Sequence, residues 1–115
     1  MRTVLIVDDH EGFRATARAL LEADGFDVVG EAADGESAMA EAERLQPELV
    51  LLDIQLPDFD GFEVAARLRE TRNPPVIVLT SSRAESSYRR RLAQSPVRGF
   101  IAKSELSGEA LSALV

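Results

Sequence analysis

Apolar residues occur along this chain in two ways. Short unbroken runs alternate with stretches where they recur every three or four positions. Residues 3–7 (TVLIV) form a β-branched-rich apolar run, the pattern of a strand buried on both faces. Residues 11–24 carry Phe13, Ala17, Leu20 and Leu21 at helical spacing, and Gly25 stops them. Residues 26–33 (FDVVGEAA) predict a second strand, and 35–45 a helix with Ala38, Ala42 and Leu45 on one stripe. Pro47 separates that helix from a strand at 48–52 (ELVLL). The loop 53–60 is acidic and kinked by Pro57, and a helix follows from Gly61 to about Arg72. Asn73, Pro74 and Pro75 break it before a strand at 76–79 (VIVL). A helix at 83–94, a strand at 98–102 (RGFIA) and a helix at 105–115 complete the pattern.

Five strand–helix units joined by short connections predict one α/β domain over residues 1–115, with no repeat and no linker. Strands joined through single helices make right-handed parallel crossovers, so helices cover both faces of a doubly wound sheet. Such sheets bind ligands beyond the carboxyl ends of their strands. Composition agrees with a globular chain, at 45% hydrophobic and 29% charged residues. No apolar run nears the roughly 20 residues of a membrane helix, and the N-terminus lacks a signal-peptide pattern. An intracellular, cytoplasmic protein is the expectation.

Charge sharpens this. The net charge of −7 divides unevenly: residues 1–63 hold 16 acids against 4 bases, and residues 64–115 hold 4 acids against 9 bases. An acidic half argues against a nucleic-acid binder and suits a cation site. With no Cys and one His, thiolate chemistry, Cys-based zinc sites and most His-ligand metal sites are excluded.

The predicted strand ends carry the candidate chemistry. Asp8 and Asp9 follow the first strand, Asp53 the third, Thr80, Ser81 and Ser82 the fourth, and Lys103, the only lysine, the fifth. One Asp after a strand is ordinarily a turn or cap residue. Three converging carboxylates are another matter, because without a cation their pKa values must rise. Hard oxygen ligands without His or Cys select Mg²⁺ or a similar ion. A carboxylate beside Mg²⁺ can attack phosphorus, and a Lys ammonium and a Thr hydroxyl can hold the remaining phosphoryl oxygens. His10 reads as the start of the first helix, and Arg89, Arg90 and Arg91 as a solvated helix face. No glycine-rich nucleotide motif is present.

On VLIVDDH (4–10), LVLLDIQLPDFDGFEV (49–64), PVIVLTSS (75–82) and GFIAKSE (99–105), the chain resembles the receiver domains of two-component response regulators. The VDDH opening and GFDVVGEAADGESA (25–38) look most like the LuxR-type subfamily. The resemblance implies a flavodoxin-like sheet in order 2-1-3-4-5. It implies Asp53 as phosphoacceptor, and Mg²⁺ held by Asp9, Asp53 and the backbone carbonyl of Gln55, with Asp8 acting through water. Thr80 would be the switch hydroxyl, Lys103 the ammonium that pairs with phosphate, and Phe100 the aromatic switch. Pro57 and Gly61 would shape the loop after Asp53, and Gln55 and Ser82 would flank the site and set phosphoryl lifetime. The implied partners are a sensor histidine kinase and a second copy upon phosphorylation. DNA would be reached only through a C-terminal helix-turn-helix domain absent from this chain, and no membrane is involved. The domain would assist its own phosphorylation rather than act as an enzyme on an outside substrate.

Three positions depart from the family pattern. Lys103 precedes Ser104 rather than a proline in a cis bond, which would cost about 3 kcal/mol without proline. Ser95-Pro96 replaces a common Ala-Gly, and Phe100 lacks the tyrosine hydroxyl. Two rival readings are a Mg²⁺-dependent aspartyl-phosphate phosphatase of the haloacid-dehalogenase type and a receiver-like interaction module. The first wants an Asp where Gln55 stands, and the second a damaged acid cluster, whereas this cluster is intact.

Overall fold

In the computed structural model, which describes residues 2–115, the apolar runs pair side by side into one sheet. The strands are β1 (Thr3–Val7), β2 (Asp27–Ala32), β3 (Leu49–Asp53), β4 (Val76–Ser81) and β5 (Gly99–Ala102). All neighbours are parallel, in the expected order β2-β1-β3-β4-β5. The helices are α1 (Glu11–Ala23), α2 (Gly35–Leu45), α3 (Gly61–Arg69), α4 (Arg89–Ala93) and α5 (Gly108–Leu114). Among the described residues, no helix is long and apolar enough to cross a membrane.

The strand alternation divides the core in two. Leu5, Val7, Val50, Leu52 and Leu79 pack with Ala38, Ala42, Val64, Leu68 and Tyr88 on one face. Val4, Ile6, Leu49, Leu51 and Val78 pack with Ala17, Leu21 and Leu111 on the other. β1 and β3 therefore need apolar residues at successive positions, which is why they read as unbroken runs. At roughly 1.5–3 kcal/mol per buried aliphatic side chain, this two-sided burial fixes the register of the strand ends.

Several expected boundaries move. β3 includes Asp53, and β4 extends through Thr80 and Ser81, so these polar residues lie on strands rather than after them. α3 stops at Arg69 instead of near Arg72, because the Thr71 hydroxyl donates to the Leu68 carbonyl at 2.6 Å and closes a tight turn. The expected helix at 83–94 is a 3-10 turn at Glu85–Tyr88 followed by the short α4. The backbone N–H groups of Gln94 and Ser95 donate to the carbonyls of Arg91 and Leu92, winding the chain down before Pro96, which disfavours a helical Ser95. The expected helix at 105–115 begins only at Gly108. Lys103–Glu105 form a 3-10 turn first, and the Ser107 side chain caps α5 by accepting from the Ala110 N–H at 2.9 Å. No described peptide bond is cis, so Lys103–Ser104 is trans.

Two glycines have stated reasons. Gly25 ends α1 with φ of 90°, the left-handed region that glycine adopts without strain. Gly61 opens α3 hard against the end of β3, where its N–H donates to the Ile54 carbonyl at 2.8 Å. A Cβ there would stand 2.5 Å from the Asp53 carbonyl oxygen and 2.9 Å from the Ile54 Cα, both backbone atoms that cannot swing aside. Gly61→Ala is therefore expected to destabilise the protein by about 1–3 kcal/mol. Urea denaturation checks this, and an unchanged midpoint would show that the β3–α3 junction is looser than its contacts require.

Candidate functional site

The ladders continue past the regular strands and hold the polar residues in place. The Asp8 N–H donates to the Ala32 carbonyl at 3.0 Å, and the Ile54 N–H to the Thr80 carbonyl at 3.0 Å. Val7 pairs with Leu52 and Asp53 with Thr80, so Asp8, Asp53 and Thr80 sit beside one another across three central strands. Asp8 and Thr80 are wholly buried, and Asp53 is 2% exposed. Asp9, the next residue along, has turned outward and is about one-third open.

Lys103 enters from the turn after β5. Its Nζ lies 2.7 Å from Asp8 Oδ2 and 3.5 Å from Asp53 Oδ2. The ammonium is thus held closer to Asp8, though Asp8 Oδ2 lacks an aligned hydrogen bond despite the close ion pair. The same Nζ stands 4.6 Å above the Phe13 ring, which keeps the lysine over the strand ends. Arg14 fixes the Asp8 backbone by donating to its carbonyl at 2.7 Å, while its Nε donates to Glu31 at 2.9 Å.

One ammonium cannot offset two buried carboxylates. Burial pushes the Asp53 carboxyl up to about 6, and the neighbouring Asp8 charge adds to that; Lys103 and the Gln55 N–H pull it back. That N–H donates to Asp53 Oδ1 at 3.3 Å, which sets the Gln55 backbone directly beside the carboxylate. One ligand atom from each of Asp8, Asp9, His10 and Asp53 lies within 4.8 Å of the others. This donor set, dominated by hard oxygens around excess negative charge, fits a divalent cation. The Thr80 hydroxyl is buried without a hydrogen-bond partner, so it remains free for an incoming oxygen.

The structure therefore brings Asp8, Asp9, Asp53, Thr80 and Lys103 to one end of the sheet, with Gln55 and Ser82 exposed at its rim. Phe100 is half-buried on β5, two strands from Asp53; it pairs with Leu79 on β4. Some residues at this end escape a reading by sequence. Tyr88 is buried, shares a 3.1 Å hydrogen bond with Ser81 Oγ, and stands 6.1 Å from both Phe62 and Phe100 in a row of tilted rings. Its position inside an apparent helix conceals this role. Asp58 accepts from the Gly35 and Glu36 N–H groups at 2.8 and 2.9 Å, holding the acidic loop against the start of α2. Arg91 is not merely solvated: it pairs with Asp60 at 2.7 Å and lies 4.1 Å over the Phe62 ring.

The raised Asp53 value has a sign for stability. Its folded pKa of about 6 exceeds the ordinary 3.8, so the folded state holds the proton more tightly than the unfolded chain. Its contribution is fully present below the ordinary value and is lost as pH rises through about 6. The loss is at most about 3 kcal/mol in cation-free buffer. Asp53→Asn is expected to be more stable than the wild type at pH 7.5 without divalent ions, with the gap narrowing towards pH 4. Chemical denaturation across that range checks this; a gap independent of pH would contradict it.

Comparison with known proteins bears on the same arrangement. Residues 4–115 match the response regulator receiver domain family. BvgA of Bordetella pertussis, by name a virulence-factors transcription regulator, is 38% identical over 110 residues, covering 96% of this chain and 53% of BvgA. The chain thus spans about half the length of the curated relatives it matches. The signal receiver domain of NarL from Mycobacterium tuberculosis superposes with a TM-score of 0.86 at 31% identity, over 98% of this chain and 95% of that one. A LuxR-family two-component response regulator from Aurantimonas sp. SI85-9A1 gives 0.88 at 27% identity, over 99% and 82% of the two chains. With its matched family, its sheet order and the acids gathered at the strand ends, the chain belongs to the response regulator receiver domains.

Proposed function

We propose that this receiver accepts a phosphoryl group on Asp53 from the phosphohistidine of a sensor kinase. The carrying observation is the buried Asp53 carboxylate with the Lys103 ammonium 3.5 Å away and the unpartnered Thr80 hydroxyl opposite it on the adjacent strand. An Asp53 oxygen attacks phosphorus, the new O–P bond forms as the donor's N–P bond breaks, and the leaving imidazole keeps the electron pair and takes a proton from water. Hydrolysis of the acyl phosphate returns the carboxylate and inorganic phosphate. The domain thereby switches itself rather than turning over an outside substrate.

Asp9, Asp53 and the Gln55 backbone carbonyl would hold Mg²⁺, with Asp8 acting through water. When bound, the ion supplies positive charge that offsets the carboxylates and the incoming phosphoryl oxygens. Lys103 is drawn from Asp8 towards the phosphoryl group, because three new oxygens outweigh one carboxylate partner. Thr80 supplies its free hydroxyl to the same group, and Phe100 follows into the space that Thr80 leaves. The surface around β4, α4 and β5 then shifts between two states, favouring a second copy or another partner. In this reading residues 1–115 are a single receiver that works in the cytoplasm and reaches DNA through a separate domain; the likeness to BvgA, by name a transcription regulator, supports a role in governing transcription.

Acetyl phosphate with Mg²⁺ is expected to add one phosphoryl group to the wild type and none to Asp53→Asn, read by intact-protein mass spectrometry. Full labelling of the variant would move the acceptor elsewhere. Thr80→Ala should still be labelled, yet its amide exchange around residues 80–103 should change little with beryllofluoride. A wild-type-sized response would sink Thr80's part. Asp9→Ala should weaken Mg²⁺ binding more than Asp8→Ala, since a direct ligand loses a bond and a charge whereas a water-mediated one loses an outer contact. Calorimetric titration decides, and the reverse order would exchange the two roles.

A further inference from the structure

His10 has a second use that its place at the start of α1 hides. It stands at the N-cap of that helix, yet its side chain caps nothing. Instead the ring folds back over the strand end. Nδ1 lies 3.0 Å from Asp9 Oδ1 and 3.2 Å from Asp8 Oδ1. Two ligand atoms bound to one ion at about 2.0–2.1 Å stand roughly 2.9 Å apart at an octahedral angle and roughly 3.3 Å apart at a tetrahedral one. Both His10 spacings fall in that window. The Asp8 carboxylate is wholly buried, with Oδ2 turned to the Lys103 ammonium at 2.7 Å and Oδ1 facing the ring, where it also accepts from the His10 N–H at 2.8 Å; Asp9 and His10 are open to solvent and leave a way in for an ion.

Carboxylates alone suit Mg²⁺, which binds oxygen and keeps several waters. Imidazole changes the preference towards Co²⁺, Ni²⁺, Cu²⁺ and Zn²⁺, all of which bind nitrogen strongly. We infer that His10 Nδ1 is a direct ligand for a divalent transition ion, held jointly with the carboxylates of Asp8, Asp9 and Asp53. The site then accepts two classes of ion, Mg²⁺ through oxygen only and a transition ion through oxygen and nitrogen. The two classes share carboxylates and so compete. This rests on reading the acid cluster as a cation site, but adds a ligand that the Mg²⁺ assignment does not use.

The chain's single histidine and lack of cysteine make the test clean, because any imidazole signal from untagged protein belongs to His10. Calorimetric titration with Ni²⁺ and separately with Mg²⁺, at pH 7.5, compares wild type, His10→Ala and His10→Gln. Ni²⁺ affinity is expected to fall tenfold or more in both variants, while Mg²⁺ affinity stays within twofold. Excess Mg²⁺ should weaken apparent Ni²⁺ binding to the wild type. Electron paramagnetic resonance of the Cu²⁺ form should show nitrogen hyperfine coupling that His10→Ala abolishes. Unchanged Ni²⁺ affinity in both variants would overturn the inference. Equal loss of both ions would also overturn it, by reducing His10 to a positioner of the carboxylates. Ni²⁺ binding untouched by Asp9→Ala would place the ion elsewhere and do the same. A wild type that binds Ni²⁺ through His10 but not Mg²⁺ would instead refute the Mg²⁺ assignment and leave the His10 ligand standing.

Discussion

Two carboxylates, Asp8 and Asp53, lie buried side by side at the ends of adjacent central strands with one ammonium, Lys103, to offset them. Burying an unpaired charge costs several kcal/mol, so this end of the sheet is under electrostatic load that the rest of the fold must carry. The load explains the neighbouring contacts. Arg14 clamps the Asp8 backbone, the Gln55 N–H leans on Asp53, and Gly61 lets α3 close against the Asp53 carbonyl. The hydrophobic layers on both faces are what make the placement compulsory. Sliding β1 or β3 by one residue would exchange their two faces and set each side chain into the packing of the opposite layer.

An excess of negative charge is also a capacity to bind. A cation relieves it by neutralising the acids. Thr80 and its neighbour Ser81 point to opposite uses, Thr80 unpartnered and Ser81 bonded to Tyr88. Tyr88 sits in the tight turn before α4 and touches Phe62 and Phe100 through its ring. The least regular helical segment of the molecule is therefore bonded directly to the strand end, and the short α4 follows it.

Much of the fold was legible in the chain because its signals are local. Unbroken apolar runs marked β1 and β3, helical spacing marked α1 and α2, and Gly25 and Pro47 marked their stops. The acids, Thr80 and Lys103 were legible as a set because each falls at or just past a strand end, and parallel strands put all those ends on one side. Where local signals mixed, boundaries slipped. Residues 83–94 hold helix formers, but Pro96 and the Tyr88–Ser81 bond split them into a 3-10 turn and a short helix. Residues 105–115 looked helical throughout, yet the Ser107 cap and the Asp24 carboxylate, which accepts from the Gly108 N–H at 3.0 Å, start α5 later.

By itself the sequence determined the alternation of elements, the two-faced core and the identity of the chemistry-bearing residues, since these follow from period, composition and order along the chain. Only the tertiary structure decided how those residues divide their partners. It gave Lys103 to Asp8 more than to Asp53, left Thr80 without a partner while Tyr88 took Ser81, and turned His10 from a helix start into a neighbour of two carboxylates. Those outcomes depend on competition among groups up to 95 positions apart, as from Asp8 to Lys103, and are settled by distance and burial after the sheet has closed.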